Sequence, residues 1–193
     1  MIRIATPDDI PAILNIYAPY VENTTCSFEY APPTLEAFRE RFMGITEQFP
    51  WLVWEENGQV QGYAYGSLPF KRTAYCWDCE VSIYLKPECH GKGIGRKLYA
   101  VLEDILIKQG YRVIYALITS ENRGSLDFHE KVGYKTVATL PDCGVKFGRW
   151  LGVIWMEKRV EFPAIPSKPP VSWRKLVENN GNFSNILATL SLS

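Results

Sequence analysis

The chain has 193 residues, of which 47% are hydrophobic and 22% charged, and this favours one compact domain that buries a core without disulfides or a structural metal. Its 21 basic and 21 acidic residues balance, so a broad electrostatic attraction to nucleic acid or to an anionic membrane is not expected. No apolar run reaches the roughly 18 residues of a membrane helix, and five cysteines without framework spacing indicate reduced thiols and a cytoplasmic protein.

The first half of the chain predicts one strand, two helices and a three-stranded meander. After a short strand over residues 1–5, Thr6 is a helix cap and apolar residues then recur at helical spacing. A break over residues 23–33 follows, and Thr34 caps a second amphipathic helix. Asn57-Gly58 is a strong hairpin signal. The meander is therefore predicted over residues 51–56, 60–67 and 79–85.

The second half of the chain predicts helices and strands in alternation. A helix covers residues 95–109, and a nearly continuous apolar strand of the buried type covers residues 112–119. A short helix over residues 122–132 comes next. Two strands, over residues 134–140 and 153–160, complete the order β-α-α-β-β-β-α-β-α-β-β. This order indicates an α/β (α+β) fold in which a mixed sheet is flanked by helices.

The composition changes near residue 162. Four prolines between positions 163 and 170 indicate a stiff extended segment, and the residues after it are rich in Asn and Ser. We therefore expect a single domain over residues 1–161. The Pro-rich tail of residues 162–193 is expected to be loosely packed, or ordered at an interface with a neighbouring subunit.

A glycine-rich turn, His90-Gly91-Lys92-Gly93-Ile94-Gly95, lies between a predicted strand and a predicted helix. Glycines let the backbone approach a ligand closely, and a helix N-terminus directs N–H groups at it, so the turn suits a phosphate. Lys92 and Arg96 add positive charge. The nucleotide P-loop pattern does not occur, and the dinucleotide fingerprint fails because Arg96 stands where it needs glycine. An ordinary glycine-rich connection is the alternative.

The turn also resembles a known signature. His90-x-x-Gly93-x-Gly95 is similar to Q/R-x-x-G-x-G/A, the diphosphate-binding motif of the GNAT acetyltransferases, with His90 in place of Gln or Arg. The run from Phe128 to Tyr134, F-H-E-K-V-G-Y, resembles the F-Y-E-K-x-G-F run of that family. Residues 80–85 and 144–150 resemble segments of its phosphinothricin acetyltransferase group. The resemblance covers residues 1–160 and implies a GNAT-like, mostly antiparallel central sheet.

The resemblance implies that acetyl-CoA is the co-substrate and that no metal is required. The groups that would bind it are the end of one strand, the glycine turn and the start of a later helix. By residue these are Ile83, Tyr84, Leu85, His90, Gly91, Lys92, Gly93, Ile94, Gly95, Arg96, Asn122 and Ser125.

The resemblance further implies direct attack of an amine on the acetyl thioester in a ternary complex, which needs a general base. Glu80 stands at the base position of the family, and its neighbours Cys79 and Val81 are expected to desolvate it and raise its pKa. A solvated strand carboxylate is the alternative. His129 replaces a tyrosine that often protonates the leaving thiolate, so His129 either does the same or only packs near the cofactor.

The expected acceptor is the α-amino group of a small amino acid or analogue, such as phosphinothricin, methionine sulfone or methionine sulfoximine. Cations would hold its oxyanions and aromatic rings would wall the pocket, although each could equally be a surface or core residue. The candidates are Arg72, Lys146, Arg149, Phe28, Tyr75 and Trp150. Peptide, polyamine or aminoglycoside amines, and an acetyl-CoA-binding module without catalysis, remain alternatives. The resemblance also implies a homodimer, with no nucleic acid or membrane partner.

Overall fold

The computed structural model describes residues 1–161, 168–179, 181 and 183, and its centre is one twisted sheet. The strands run in the spatial order β1-β2-β3-β4-β5-β7-β6, and every neighbouring pair is antiparallel except β4 and β5. The predicted mixed, mostly antiparallel sheet is confirmed. The strands are Ile2–Ile4 (β1), Trp51–Glu56 (β2), Gln59–Ser67 (β3), Asp78–Leu85 (β4), Val113–Thr119 (β5), Lys135–Lys146 (β6) and Arg149–Arg159 (β7).

Helices cover both faces of the sheet. They are Ile10–Asn23 (α1), Leu35–Thr46 (α2), Ile94–Gln109 (α3), Arg123–Lys131 (α4) and Trp173–Asn179 (α5). Strand β2 shows how the two faces divide, because successive strand residues point to opposite sides. Trp51 and Val53 pack in the cluster that α1 and α2 cover, whereas Leu52 packs in the cluster under α3. Both faces are therefore buried over this part of the sheet.

Local sequence signals account for two of the boundaries. The Thr34 hydroxyl accepts a hydrogen bond from the Ala37 N–H at 3.2 Å and caps α2. Asn57 and Gly58 have φ values of 51° and 72°, the left-handed pair that a tight hairpin between β2 and β3 requires. Both predictions are confirmed.

The hairpin of β6 and β7 differs from the prediction. We predicted that these strands end at Leu140 and resume at Val153, but they run to Lys146 and from Arg149. Pro141, Asp142 and Cys143 interrupt the alternation where the register shifts between Leu140 and Gly144, so the sequence pattern did not show that the strand continues. The turn is Phe147-Gly148, both with positive φ, and phenylalanine is not a residue that signals such a turn.

Part of the tail packs on the domain. Trp173 is buried in the cluster under α3, and its indole N–H donates to the Thr46 carbonyl at 2.8 Å. Residues 168–179 are thus more closely packed than the composition indicated. Residues 162–167, 180, 182 and 184–193 of the predicted tail lie outside the described residues. The division at residue 161 stays a prediction.

The described part of the chain contains no helix that is long and apolar enough to cross a bilayer. The five cysteines are free thiols, and Cys79 is buried in the core beside β5. The cytoplasmic location itself stays a prediction.

Candidate active site

The site begins where β4 and β5 separate. These two parallel strands are paired over only three positions, ending at Glu80 and Tyr115. Beyond that point β4 continues to Leu85 and β5 to Thr119 without pairing with each other. The diverging strands form a fork in the middle of the sheet, and their facing edges carry peptide groups that have no partner strand there.

A cavity of about 530 Å³ fills the fork and passes through the sheet. Gly95 and Phe128 line it on the side of α3 and α4, whereas Tyr20 and Cys26 line it on the side of α1. Eleven of the twelve predicted cofactor-binding residues line this cavity, together with His129; Lys92 does not. The fold thus gathers three separate sequence segments around one space.

The glycine turn closes one end of the cavity. Gly91 and Gly93 have φ values of 73° and 77°, which side chains rarely tolerate, and α3 begins directly after them at Ile94. A Cβ atom at Gly95 would lie 3.3 Å from the Ile83 side chain and 3.4 Å from Phe128. The turn therefore favours glycine at Gly91 and Gly93, and the space at Gly95 leaves little room for a side chain. The first N–H groups of α3 have no intrahelical acceptor and face this end.

His90 is held by a residue that the sequence did not indicate. The Tyr20 hydroxyl donates to the Leu85 carbonyl at the end of β4, and it lies 2.9 Å from His90 Nε2. Since the hydroxyl proton is used on the carbonyl, Nε2 must be the donor of the second bond. Tyr20 thus connects α1, the end of β4 and the turn.

Glu80 lies at the point of the fork, one residue outside the cavity lining. Burial raises the pKa of its carboxyl to about 7. Among the described residues no side chain hydrogen-bonds or ion-pairs with this carboxylate, so no fixed partner offsets the effect of burial on its pKa. A carboxyl group with a pKa near neutrality can take a proton at physiological pH.

His129 lines the cavity and is buried. Its Nδ1 lies 2.7 Å from the Ser125 carbonyl, which can only accept, so Nδ1 carries the proton. Its Nε2 lies 3.0 Å from the Tyr99 hydroxyl and therefore accepts. Burial lowers the pKa of His129, and the ring is neutral at pH 7. Both ring nitrogens are thus engaged within the protein.

Lys146 lies outside the cavity lining, although we predicted that it contacts the acceptor. It is 1% exposed, and its Nζ donates to the carbonyls of Val21 and Ser27 at 2.6 Å each. These bonds fix the loop of residues 24–34 between α1 and α2 against the β6–β7 hairpin. The contact of Lys146 with the acceptor stays a prediction. The structure shows that Lys146 also holds this loop in place.

The other acceptor candidates lie outside the cavity lining. Arg149 pairs with Glu121, with Nη2 2.8 Å from Oε2, and Trp150 beside it is 64% exposed. Tyr75 packs on the Phe70 ring at 4.8 Å between centroids, and Arg72, three residues earlier, is exposed. Phe28 lies against Gly144. The cavity does not bring these side chains together, so their roles stay predictions.

Several lining residues were not foreseen. Tyr20, Cys26, Ser82, Tyr99, Thr119 and Phe128 are among them. Ser82 and Tyr99 follow from strand and helix periodicity around residues that were predicted. Tyr20 and Cys26 come from a distant part of the chain, and no local pattern marks them.

Comparisons with known proteins agree with this geometry. Residues 2–155 match the family model described as an acetyltransferase (GNAT) domain. The chain is 35% identical to phosphinothricin N-acetyltransferase of Alcaligenes faecalis, over 81% of each protein. It is 35% identical to an L-methionine sulfoximine/L-methionine sulfone acetyltransferase of Pseudomonas aeruginosa, over 83% of this chain and 94% of that protein.

A solved structure shows the same fold. The phosphinothricin acetyltransferase of Sinorhizobium meliloti, crystallised in complex with acetyl-CoA, superposes with a TM-score of 0.81 and 34% sequence identity. The match covers 88% of this chain and 92% of that one. The forked sheet, the glycine turn before α3 and these likenesses lead to one conclusion: the chain belongs to the GNAT family of acetyltransferases, enzymes that take their acetyl group from acetyl-CoA.

Proposed function

We propose that this chain acetylates the α-amino group of a small amino acid or analogue, of the phosphinothricin, methionine sulfone or methionine sulfoximine type. The amine attacks directly within a ternary complex with acetyl-CoA. The observation that carries the proposal is the unpartnered Glu80 carboxyl, with a pKa raised to about 7, at the point where the cavity opens through the sheet. The names of the curated relatives support the choice of acceptor.

The residues around the fork fit acetyl-CoA, which supplies an activated acetyl thioester when bound. Gly91 and Gly93 form a turn with left-handed backbone that suits a diphosphate, and the start of α3 adds its positive end. The edge of Ile83–Leu85 that faces β5 has no partner strand there, and apart from the Leu85 carbonyl, which Tyr20 occupies, it offers peptide groups to an extended arm. These groups bind and orient the donor.

Glu80 has the role of general base. An ammonium group cannot attack, and the ionised carboxylate removes its proton, directly or through one water. Because the carboxylate has no fixed partner among the described residues, it stays available to the amine. Backbone N–H groups of Ile83–Leu85 are the donors that we assign to the developing negative oxygen.

His129 has a role on the thiol side of the cavity. It accepts from the Tyr99 hydroxyl, and both side chains line the cavity there. We propose that His129 positions the Tyr99 hydroxyl, which turns from Nε2 to donate a hydrogen bond to the leaving thiolate, and that the thiolate takes its proton from solvent. Arg72 and Arg149 are proposed to hold the acceptor's oxyanions, with Phe28, Tyr75 and Trp150 as walls.

An amine panel tests the acceptor. With acetyl-CoA held constant, we expect thiol release with phosphinothricin, methionine sulfone and methionine sulfoximine to exceed release with an N-terminal peptide, spermidine or an aminoglycoside by at least about tenfold in kcat/KM. The names of the curated relatives favour a small acceptor over a peptide. Equal or better turnover of the peptide would reject the small-acceptor proposal, and acetyl-CoA binding without turnover of any amine would favour a non-catalytic module.

We also propose that the chain is a homodimer. Exposed apolar side chains cluster on the β6–β7 hairpin and the loop that packs on it: Tyr30, Leu140, Val145, Phe147 and Trp150. Sedimentation velocity at micromolar concentration should show a dimer, and Leu140→Lys should shift it towards monomer because a buried ammonium would be placed in the interface. A wild-type monomer throughout the concentration range would refute this arrangement.

A further inference from the structure

A partly exposed apolar residue, Leu117, lies beside Glu80 on the sheet. On β5 both neighbours of Leu117 pack in the cluster under α3, and on β4 both neighbours of Glu80 do so. Because successive strand residues alternate between faces, Leu117 and Glu80 both point to the other face. Glu80 is level with Tyr115, and Leu117 follows two residues later, roughly 7 Å along the strand. The two residues are therefore near neighbours on one side of the sheet.

Leu117 forms an apolar patch with two aromatic residues. Trp155 of β7 stands directly opposite Leu117 in the register, and the Phe70 ring stacks on Trp155 at 5.7 Å between centroids. Phe70 comes from the loop between β3 and β4, and Arg72 of the same loop is exposed. Leu117, Trp155 and Phe70 are called the Leu117 patch below. None of the three side chains carries a charge.

The cluster covered by α1 and α2 stops short of the Leu117 patch. Its strand residues, and those packed against it, come from β2, β3 and β4, and in the described part of the chain none comes from β5 or β7. Leu117 is 37% exposed, and it also lines the cavity. The patch therefore meets the cavity at Leu117 and remains partly open to solvent.

The chemistry of the acceptor brings its side chain to this patch. The amine must lie near Glu80 to lose its proton, and the donor fills the cavity. In an amino acid the amine and the side chain share one carbon atom, so the side chain lies on the surface next to Glu80. The Leu117 patch is the apolar surface at that place.

The charges around the patch suit a neutral side chain. Glu80 places a carboxyl group beside it, and a second anion on three apolar side chains would lose water without gaining a fixed cation. Lys146 is bound to two carbonyl groups of the chain, and Arg149 is paired with Glu121. Of the three cations predicted for the acceptor, Arg72 is the one without a side-chain partner among the described residues, and the α-carboxylate of an amino acid would use it.

We propose that the side chain of the acceptor lies on the Leu117 patch, and that the enzyme therefore prefers an amino acid with a neutral side chain to one with an anionic side chain. The inference rests on the proposed function, because it places the acceptor amine at Glu80. It makes Leu117 a specificity-determining residue that has no part in the chemical step.

Two acceptors of nearly the same shape test the preference. Methionine sulfone and phosphinothricin both end in a methyl group on an atom that carries two oxygens, and they differ in the negative charge of the phosphinate. With the wild type, kcat/KM for methionine sulfone should exceed that for phosphinothricin by about tenfold or more. The affinities of the two amino acids for the enzyme–CoA complex, measured by calorimetry, should follow the same order without any acetyl transfer.

Leu117→Lys adds a cation to the patch. A partly exposed lysine covers apolar surface with its stem and keeps its ammonium in water, so the fold should tolerate it. The variant should lower the ratio of the two kcat/KM values by about tenfold or more, through a gain with phosphinothricin. Leu117→Met keeps the patch apolar and should affect both acceptors alike.

Met43→Lys is the matched control for the added charge. Met43 is 47% exposed and lies on α2, outside the patch and the cavity lining. This variant should leave the ratio of the two kcat/KM values within about twofold of the wild type.

Three results would overturn the inference: a wild type that takes phosphinothricin as well as methionine sulfone, a ratio that Leu117→Lys leaves unchanged, or an equal loss of both acceptors together with dissociation into monomers. The last result would identify the patch as a subunit interface. An enzyme–CoA complex that binds neither acceptor would also reject it. If the complex binds methionine sulfone in preference but no amine is acetylated, the reaction assignment fails and the patch stands.

Discussion

Replacing Glu80 by glutamine should lower kcat/KM for acetyl transfer by about a hundredfold to ten-thousandfold, the usual contribution of a general base. The amide cannot take a proton from the acceptor ammonium, yet it keeps the shape of the side chain. The affinity for acetyl-CoA should change little, because Glu80 lies outside the cavity lining. Thiol release from acetyl-CoA gives the rate, and calorimetry gives the affinity.

The matched control for this variant is Asp78→Asn. Asp78 lies on the same strand two residues earlier, and burial also raises the pKa of its carboxyl, but it stands before the fork opens. It should keep its activity within about threefold.

For the wild type, kcat/KM should rise about tenfold per pH unit up to about pH 7 and then level off, and Glu80→Gln should lose that inflection. Unaltered kcat/KM in Glu80→Gln would remove the general base from the proposal.

The same substitution should stabilise the protein above neutral pH. The pKa of Glu80 rises from 4.5 to about 7 on folding, so the folded state binds the proton more tightly. The contribution of Glu80 to the free energy of unfolding is therefore greatest below pH 4.5, and it is lost as the pH rises through 7. At about 1.4 kcal/mol per pH unit, the ionised carboxylate costs up to about 3 kcal/mol at pH 8. Glutamine avoids that cost, so loss of activity should accompany a higher unfolding temperature.

Lys146→Met should lower the free energy of unfolding by about 2–4 kcal/mol, although the side chain keeps its length. The substitution leaves the buried carbonyls of Val21 and Ser27 without a donor, and each unpaired group costs about 1–3 kcal/mol. Removal of a buried ammonium offsets part of this loss. Urea unfolding at pH 7 measures the difference.

Lys135→Met is the matched control, because Lys135 begins the same strand but is exposed to solvent. It should change the free energy of unfolding by no more than about 0.5 kcal/mol. Lys146→Met should also raise the KM for the acceptor, since the loop that it fixes carries Phe28. A Lys146 variant as stable as the wild type, with a normal acceptor KM, would show that the loop is held by other contacts.

Contiguous sequence patterns predicted the parts of this protein that depend on neighbours in the chain. The cap of α2 at Thr34 and the hairpin at Asn57-Gly58 are local chemistry, and both are confirmed. The glycine turn and the strand that carries Glu80 are short runs, so the family and the fold could be identified from them. The β6–β7 turn at Phe147-Gly148 could not be predicted, because the hairpin rather than the residue types sets its backbone conformation.

Contacts between distant segments could not be predicted in the same way. The bonds of Lys146 to α1 and the following loop span more than 100 residues of chain, and the sequence shows Lys146 only as one more cation beside an aromatic residue. The contact of Tyr20 with His90 joins residues 70 apart. The neutral state of His129 depends on a carbonyl and a hydroxyl that only the folded chain brings to its two nitrogens.

The fork between β4 and β5 has a consequence for association as well as for catalysis. It is an unpaired strand edge in the middle of the sheet. Unpaired edges at the rim of a sheet can pair with other chains and lead to aggregation. Here Gly95 and Phe128 flank the opening on one face, and Tyr20 and Cys26 flank it on the other. These side chains shield the edge from pairing with another chain. In the proposed function the pantetheine arm completes that edge, so the same walls would serve both protection and donor binding.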